Sequence, residues 1–348
     1  MKEEEVLIQS IRANDIDKVI AILSREDVDL NYRDRYGITP LYWACKESSI
    51  EIVGKLIENG SDPNFPNNSG NTPIFGAILK KDKEIVYLLT QKNVDLTQRD
   101  KDNFTVLHRA ILSNDICIIE HILKQKVDVN TRSGDGNYPI HAAIESKDIE
   151  TIELLLEHGA KLDTKDVEGK TPLMLAAENN CFESLRLLVK KGSSINEKDQ
   201  DGYTALLFAV SNDSTESVEI LLSLGADITL RNNQGNSVFD EADKYQFRHT
   251  LSVLSAGLFT QFFQAILEDN ISKLEKLLDF GFDINSRDKD GNTVLMLAAK
   301  HGKTKAANLF LTRGATTYLK NKDEKNALIL AKENGKQETI QLFSEVVV

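Results

Sequence analysis

Cysteine is scarce in this chain: Cys45, Cys117 and Cys181 are the only three in 348 residues, odd in number and far apart. A disulfide framework is not expected from such spacing, and reduced structural thiols are. Positive charge is also short, with 42 Lys and Arg against 54 Asp and Glu, a net of -12. The basic residues are scattered rather than striped, so the footprint that neutralises phosphates is missing and no nucleic-acid partner is expected. No apolar run is read as approaching the roughly 20 residues that span a bilayer. The N-terminal Met1-Lys2-Glu3-Glu4-Glu5 lacks the apolar core of a signal peptide. Membrane insertion is therefore not expected, and the expected compartment is the cytoplasm, with the nucleus left open.

Catalytic equipment is missing too. The chain holds no Gly-rich phosphate loop, no Cys-x-x-Cys pair and no Gly-x-Ser-x-Gly elbow. The pairs Asp100/Asp102, Asp199/Asp201 and Asp288/Asp290 imitate calcium-loop spacing, but none is followed by the bidentate Glu at the twelfth position. Turn hydrogen bonds are the expected use of these carboxylates. His121, His158, His249 and His301 have no ligand-like spacing. The reading is of a protein that is not an enzyme, with no catalytic residue, no metal and no cofactor. Asn67-Asn68-Ser69, Asn212-Asp213-Ser214 and Asn270-Ile271-Ser272 match a glycosylation pattern that matters only in a secreted chain, and they are taken as chance.

What is present is a period. Alanine recurs at Ala44, Ala77, Ala110, Ala143, Ala176, Ala209 and Ala242 in steps of 33, then at Ala265, Ala298 and Ala331 with that step resumed. Five places before most of these stands a Thr-Pro-Leu-like triplet, beginning at Thr39, Thr72, Thr105, Tyr138, Thr171, Thr204, Ser237, Thr293 and Asn326. A fixed period near 33 signals stacked helical units. Thr39, Thr72 and Thr171 suit a helix N-cap, with Pro40, Pro73 and Pro172 at the first helical position, where the missing N–H costs nothing. A second helix carries apolar residues three and four apart, such as Ile52, Val53, Leu56 and Ile57, and stops at Gly60; Gly159, Gly192, Gly225, Gly281 and Gly314 repeat the stop. The recurring Ala sets the stacking distance, since a larger side chain would overpack the contact between units by roughly 1 to 3 kcal/mol.

The unit Asp-x-x-Gly-x-Thr-Pro-Leu, a helix with Ala, a second helix and Gly-x-Asp-x-Asn resembles the ankyrin repeat, most clearly over Asp34 to Cys45 and Asp166 to Ala177. The resemblance covers nearly the whole chain. It implies an all-α solenoid of about eleven helix-turn-helix units with β-hairpin finger loops. Glu4 to Asn31 reads as an N-terminal cap without a finger, and Asn326 to Val348 as a polar C-terminal cap; two capped ends imply a complete array and a monomer. Val106, Ala205, Val238, Val294 and Ala327 replace Pro, while Asn103 and Glu324 replace the turn Gly, which weakens single repeats without changing the fold.

The period fails between repeats seven and eight, counting from the unit of Thr39. Ala242 and Ala265 lie 23 apart, a deficit of ten that matches one finger. The second helix of repeat seven, near Phe247 to Leu254, is followed almost at once by Leu258-Phe259-Thr260-Gln261-Phe262-Phe263, with Gly257 as the only obvious breaker. The expected organisation is repeats with their cap over 1–257 and further repeats over 258–348, either one continuous kinked stack or a second stack.

Function follows from the resemblance. Ankyrin-type stacks bind protein partners on a concave face of finger tips and first helices, so a noncatalytic scaffold or adaptor is implied; a regulatory or pathogen-effector module and a structural spacer are alternatives. Tyr36, Ile38, Leu79, Phe104 and Leu112 fall on that face in three neighbouring repeats about 10 Å apart and are the candidate anchors, with Tyr203 further along. Local packing of Ile38 and Phe104 against adjacent fingers is the competing reading. Trp43 resembles family tryptophans partly buried in the stack. His108 and His141 fall on the family's Thr-Pro-Leu-His position, where the imidazole ties helix to finger. Asn31 and Asn285 resemble sites modified by asparaginyl hydroxylases.

Overall fold

The computed structural model describes residues 2–25, 27–47 and 49–346. It divides into two compact units, Met1–Gln200 and Asp201–Val348. The architecture is all-α.

In the first unit α1 (Glu3–Arg12) and α2 (Ile16–Leu23) form the N-terminal pair. Repeats one to three follow as α3 (Pro40–Glu47) and α4 (Ile50–Glu58), α5 (Pro73–Lys80) and α6 (Lys83–Thr90), then α7 (Val106–Ser113) and α8 (Ile116–Lys124). Repeats four and five are α9 (Pro139–Glu145) with α10 (Ile149–Glu157) and α11 (Pro172–Glu178) with α12 (Phe182–Lys190). First helices pack on first helices and second on second, each with its sequence neighbours. Such an array buries apolar surface one repeat at a time and needs no large single core.

Local chemistry starts each helix. The side chains of Thr39, Thr105 and Thr171 accept the N–H three residues on, from Tyr42, His108 and Met174. Thr72 is the exception among the expected caps: α5 has no side-chain cap bond and begins directly at Pro73. Four of the six second helices in this unit have side-chain caps of their own, since Asp15, Asp82, Asp115 and Asp148 accept the N–H groups of Lys18, Ile85, Ile118 and Thr151. At the C-terminal ends Gly60, Gly159 and Gly192 take positive φ, and Asn93 and Lys126 hold the same place at φ 60. All ten register alanines are fully buried.

In most fingers the turn is closed by the first side chain. Asp34 Oδ1 accepts the N–H groups of Tyr36 and Ile38 at 2.8 and 2.9 Å, and Asn67, Asp100 and Asp166 do the same in their fingers. Fingers join in series: Asn68 N–H donates to Tyr36 O, Lys101 N–H to Ser69 O, and Gly134 N–H to Asp102 O. Among the described residues the expected hairpins reduce to isolated antiparallel bridges, Arg99 to Thr105, Arg231 to Ser237 and Arg287 to Thr293. With Asx-type bonds serving the turn N–H groups, little backbone is left for a ladder.

The second unit holds α13 (Ala205–Ser211), α14 (Thr215–Ser223), α15 (Val238–Lys244), α16 (Arg248–Leu267), α17 (Ile271–Asp279), α18 (Val294–His301), α19 (Thr304–Thr312), α20 (Ala327–Glu333) and α21 (Gln337–Val346). The irregularity between repeats seven and eight is a fusion. One 20-residue helix, α16, packs on α14 and α15 and also on α17 and α18, so it serves as second helix of repeat seven and first helix of repeat eight. Gly257 does not break it. A Cβ there would lie 2.5 Å from Leu222 Cδ1, which makes Gly257 a place of close approach rather than a stop. By length and composition α16 could cross a membrane, a feature hidden in the sequence by Thr250, Ser252, Ser255, Thr260, Gln261 and Gln264. Its Leu254, Leu258, Phe262, Ala265 and Ile266 are buried among the neighbouring helices.

Candidate partner-binding groove

In three repeats the residue just before the register Ala ties the first helix to its own finger. Trp43 Nε1–H donates to Asp34 Oδ2 at 3.1 Å, and Arg109 Nε–H donates to Asp100 Oδ2 at 2.6 Å. In the second unit the polarity is reversed: Glu241 Oε1 accepts from Asn232 Nδ2 at 3.2 Å, with Tyr203 Oη and Asn236 Nδ2 at 3.2 and 3.0 Å. The half-buried Trp43 is held further by Arg12, 4.6 Å from the ring centroid, and so belongs to the frame.

His108 and His141 link one repeat to the next. Their Nε2 atoms lie 3.4 and 3.3 Å from the carbonyl oxygens of Asn137 and Lys170, each 29 residues on. Nδ1 of His108 is 2.8 Å from Thr105 Oγ1, and Nδ1 of His141 accepts from Tyr138 N–H. Both imidazoles are buried. Burial holds the pKa of His108 down at about 4 and lowers that of His141. A base whose folded pKa lies below its unfolded value near 6.5 costs no stability above pH 6.5, and its penalty grows as pH falls toward the folded pKa, because the unfolded chain then binds more protons. Thermal melts should therefore be flat from pH 8 to 6.5 and lose about 2 kcal/mol through His108 by pH 5. His108→Leu should flatten that slope; an equal slope in the variant would assign the acid sensitivity elsewhere.

With the frame accounted for, the finger-and-first-helix side of the first unit shows what remains free. Leu79 on α5 and Leu112 on α7 are 33 residues apart, at the same place in adjacent repeats, and are 66% and 48% exposed. They line one cavity of about 490 Å³. Tyr42, Phe75 and Ile78 add apolar wall to it, and Ser69, Asn71, Lys81, Lys101, Asp102 and Arg109 supply polar groups.

The other candidate anchors stand outside that cavity lining. Tyr36 is 54% exposed with Arg35 over its ring at 4.6 Å. Ile38 is half-buried and its N–H and C=O close the first finger. Phe104 is half-buried, edge-on to His108 and covered by the Arg109 guanidinium 4.5 Å away. Tyr203 belongs to the second unit, where it bonds Glu241 and packs on Phe208 at 5.3 Å. Asn31 and Asn285 join successive repeats: their Oδ1 atoms accept the N–H groups of Asp62 and Thr316, each at 2.9 Å. Asn64 and Asn130 make the same bond to Asp95 and Lys161. Among the described residues no group of three His, Cys, Asp or Glu side chains is placed to hold a metal ion.

A profile for ankyrin repeats (3 copies) matches residues 7–100, 47–133, 107–199, 140–232 and 262–346. The chain belongs to the ankyrin-repeat family. The stretch 233–261 left between matches contains α15 and most of the fused α16, where the period fails. Among solved structures the chain is similar to the ankyrin repeat domain of Bcl-3, described as a unique member of the IkappaB protein family. The likeness is one of fold, with 22% identity, 62% of this chain and 96% of that chain covered, and a TM-score of 0.57. Ankyrin repeats are in general protein-protein interaction modules.

Proposed function

We propose that this ankyrin-repeat protein is a noncatalytic scaffold or adaptor that binds a protein partner in the Leu79–Leu112 groove of the first unit. One observation carries the reading: two leucines at equivalent places of adjacent repeats stand exposed over a cavity of about 490 Å³, while the neighbouring side chains Trp43, Phe104 and Arg109 are engaged with the frame. Apolar side chains in a cleft with a polar rim are the usual anchors of an interface. Tyr36, exposed on the finger of repeat one, extends the surface.

The test is affinity capture from lysate by the wild-type chain and by Leu79→Asp/Leu112→Asp in parallel. Both side chains are exposed, so helicity and Trp43 fluorescence should stay unchanged while capture of the groove partner falls at least 100-fold, about 3 kcal/mol. Partners retained in full by the folded variant would remove the groove as the binding site.

A further inference from the structure

The groove is not electrically neutral. Lys81 and Lys101 line it beside the leucines, both are exposed, and among the described residues neither ammonium group enters a salt bridge. This positive end belongs to a chain of net charge -12. Along the first helices, the position of Leu79 and Leu112 is occupied by Lys46 one repeat before and by Glu145 and Glu178 in the two repeats after. The row thus runs from cationic through apolar to anionic.

The two acidic members differ. Glu178 is neutralised by Lys170, whose Nζ lies 2.9 Å from its carboxylate. Glu145 is exposed at its tip and has no salt bridge among the described residues; partial burial raises its pKa, and Asp135, Asp166 and Glu178 add to the rise. A free carboxylate among carboxylates is improved by a cation from outside.

We propose that the groove takes a segment of a partner protein in which an apolar side chain is flanked by a carboxylate on one side and a Lys or Arg on the other, the carboxylate meeting Lys81 and Lys101 and the cation meeting Glu145. This deepens the proposed function and rests on it. Repeats about 10 Å apart put Lys81 and Glu145, both at the C-terminal ends of first helices two repeats apart, roughly six residues of extended chain from each other. A polynucleotide would satisfy the lysines but meet Glu145, Asp135 and Asp166 with like charge.

The experiment is selection of random 12-residue displayed peptides on the full chain, followed by titration of the synthetic consensus peptide. The expected consensus has Asp or Glu and Lys or Arg on opposite sides of an apolar residue. Its affinity should fall at least tenfold on Lys81→Glu/Lys101→Glu, and a peptide with its acids changed to lysine should recover binding to that variant. Glu145→Lys should lose affinity through the other end. Peptides that depend on Leu79 and Leu112 but carry no charge pattern would overturn this inference and leave the groove reading standing. Peptides indifferent to Leu79→Asp/Leu112→Asp, or no enrichment on the wild type, would overturn both. Self-association that competes with the peptide would replace the partner by a second copy of the chain and also overturn it.

Discussion

Glu241→Leu should destabilise the second unit by about 3 kcal/mol. The carboxylate is 1% exposed, and its Oε1 accepts from Tyr203 Oη, Asn232 Nδ2 and Asn236 Nδ2. A leucine fills comparable volume but removes the acceptor that the three partly or fully buried donors share, at about 1 to 3 kcal/mol for each donor left unsatisfied and not additive. Glu241→Gln keeps an oxygen where the three donors converge and should cost less than about 1.5 kcal/mol. The single tryptophan, Trp43, lies in the first unit and will not report the change. Hydrogen exchange of the α15 amides will, as a loss of protection beginning at the finger of repeat seven. Equal protection in the Leu and Gln variants would mean that the bonds to Glu241 contribute nothing that packing does not.

Ala176→Leu is the second large effect, a loss of about 2 to 3 kcal/mol in the first unit. Ala176 is fully buried on α11, which packs on α9 and α12, so three added carbon atoms must push neighbouring helices apart or force unfavourable rotamers. Ala176→Ser adds one atom and should cost less. In an array whose stability is a sum of repeat and nearest-neighbour terms, the damage should centre on repeats four and five and leave α1 to α4 protected. Urea unfolding followed by circular dichroism measures the size, and hydrogen exchange locates it. A wild-type midpoint for Ala176→Leu would show that the alanine register does not set the stacking distance.

Much of this fold was legible because its contacts are periodic. Caps at Thr39 and Thr171, stops at Gly60 and Gly159, and the buried alanines each depend on a few residues of local chain plus one neighbouring repeat, and a 33-residue step displays that neighbour in the sequence. Caps such as Asp82 and Asp115 were equally local and could have been read from Asp before an apolar helix. The link from Trp43 to Asp34, repeated as Arg109 to Asp100 and Glu241 to Asn232, was hidden because the residue types change while the donor-acceptor relation persists.

The proposed binding surface was legible only as a face. Sequence placed Tyr36, Ile38, Leu79, Phe104 and Leu112 together on it, but not which of them are occupied; Phe104 is covered by Arg109 and Ile38 closes a finger, whereas Leu79 and Leu112 are open. The sequence by itself determined the family, the repeat boundaries and the place where the period fails, since these follow from spacing and local backbone chemistry. Only the tertiary structure decided that the missing finger becomes a continuous helix through Gly257, and which apolar side chains are left exposed. Those outcomes depend on how closely side chains from different repeats approach, as Leu222 does at Gly257, and on competition among neighbours for the same contact.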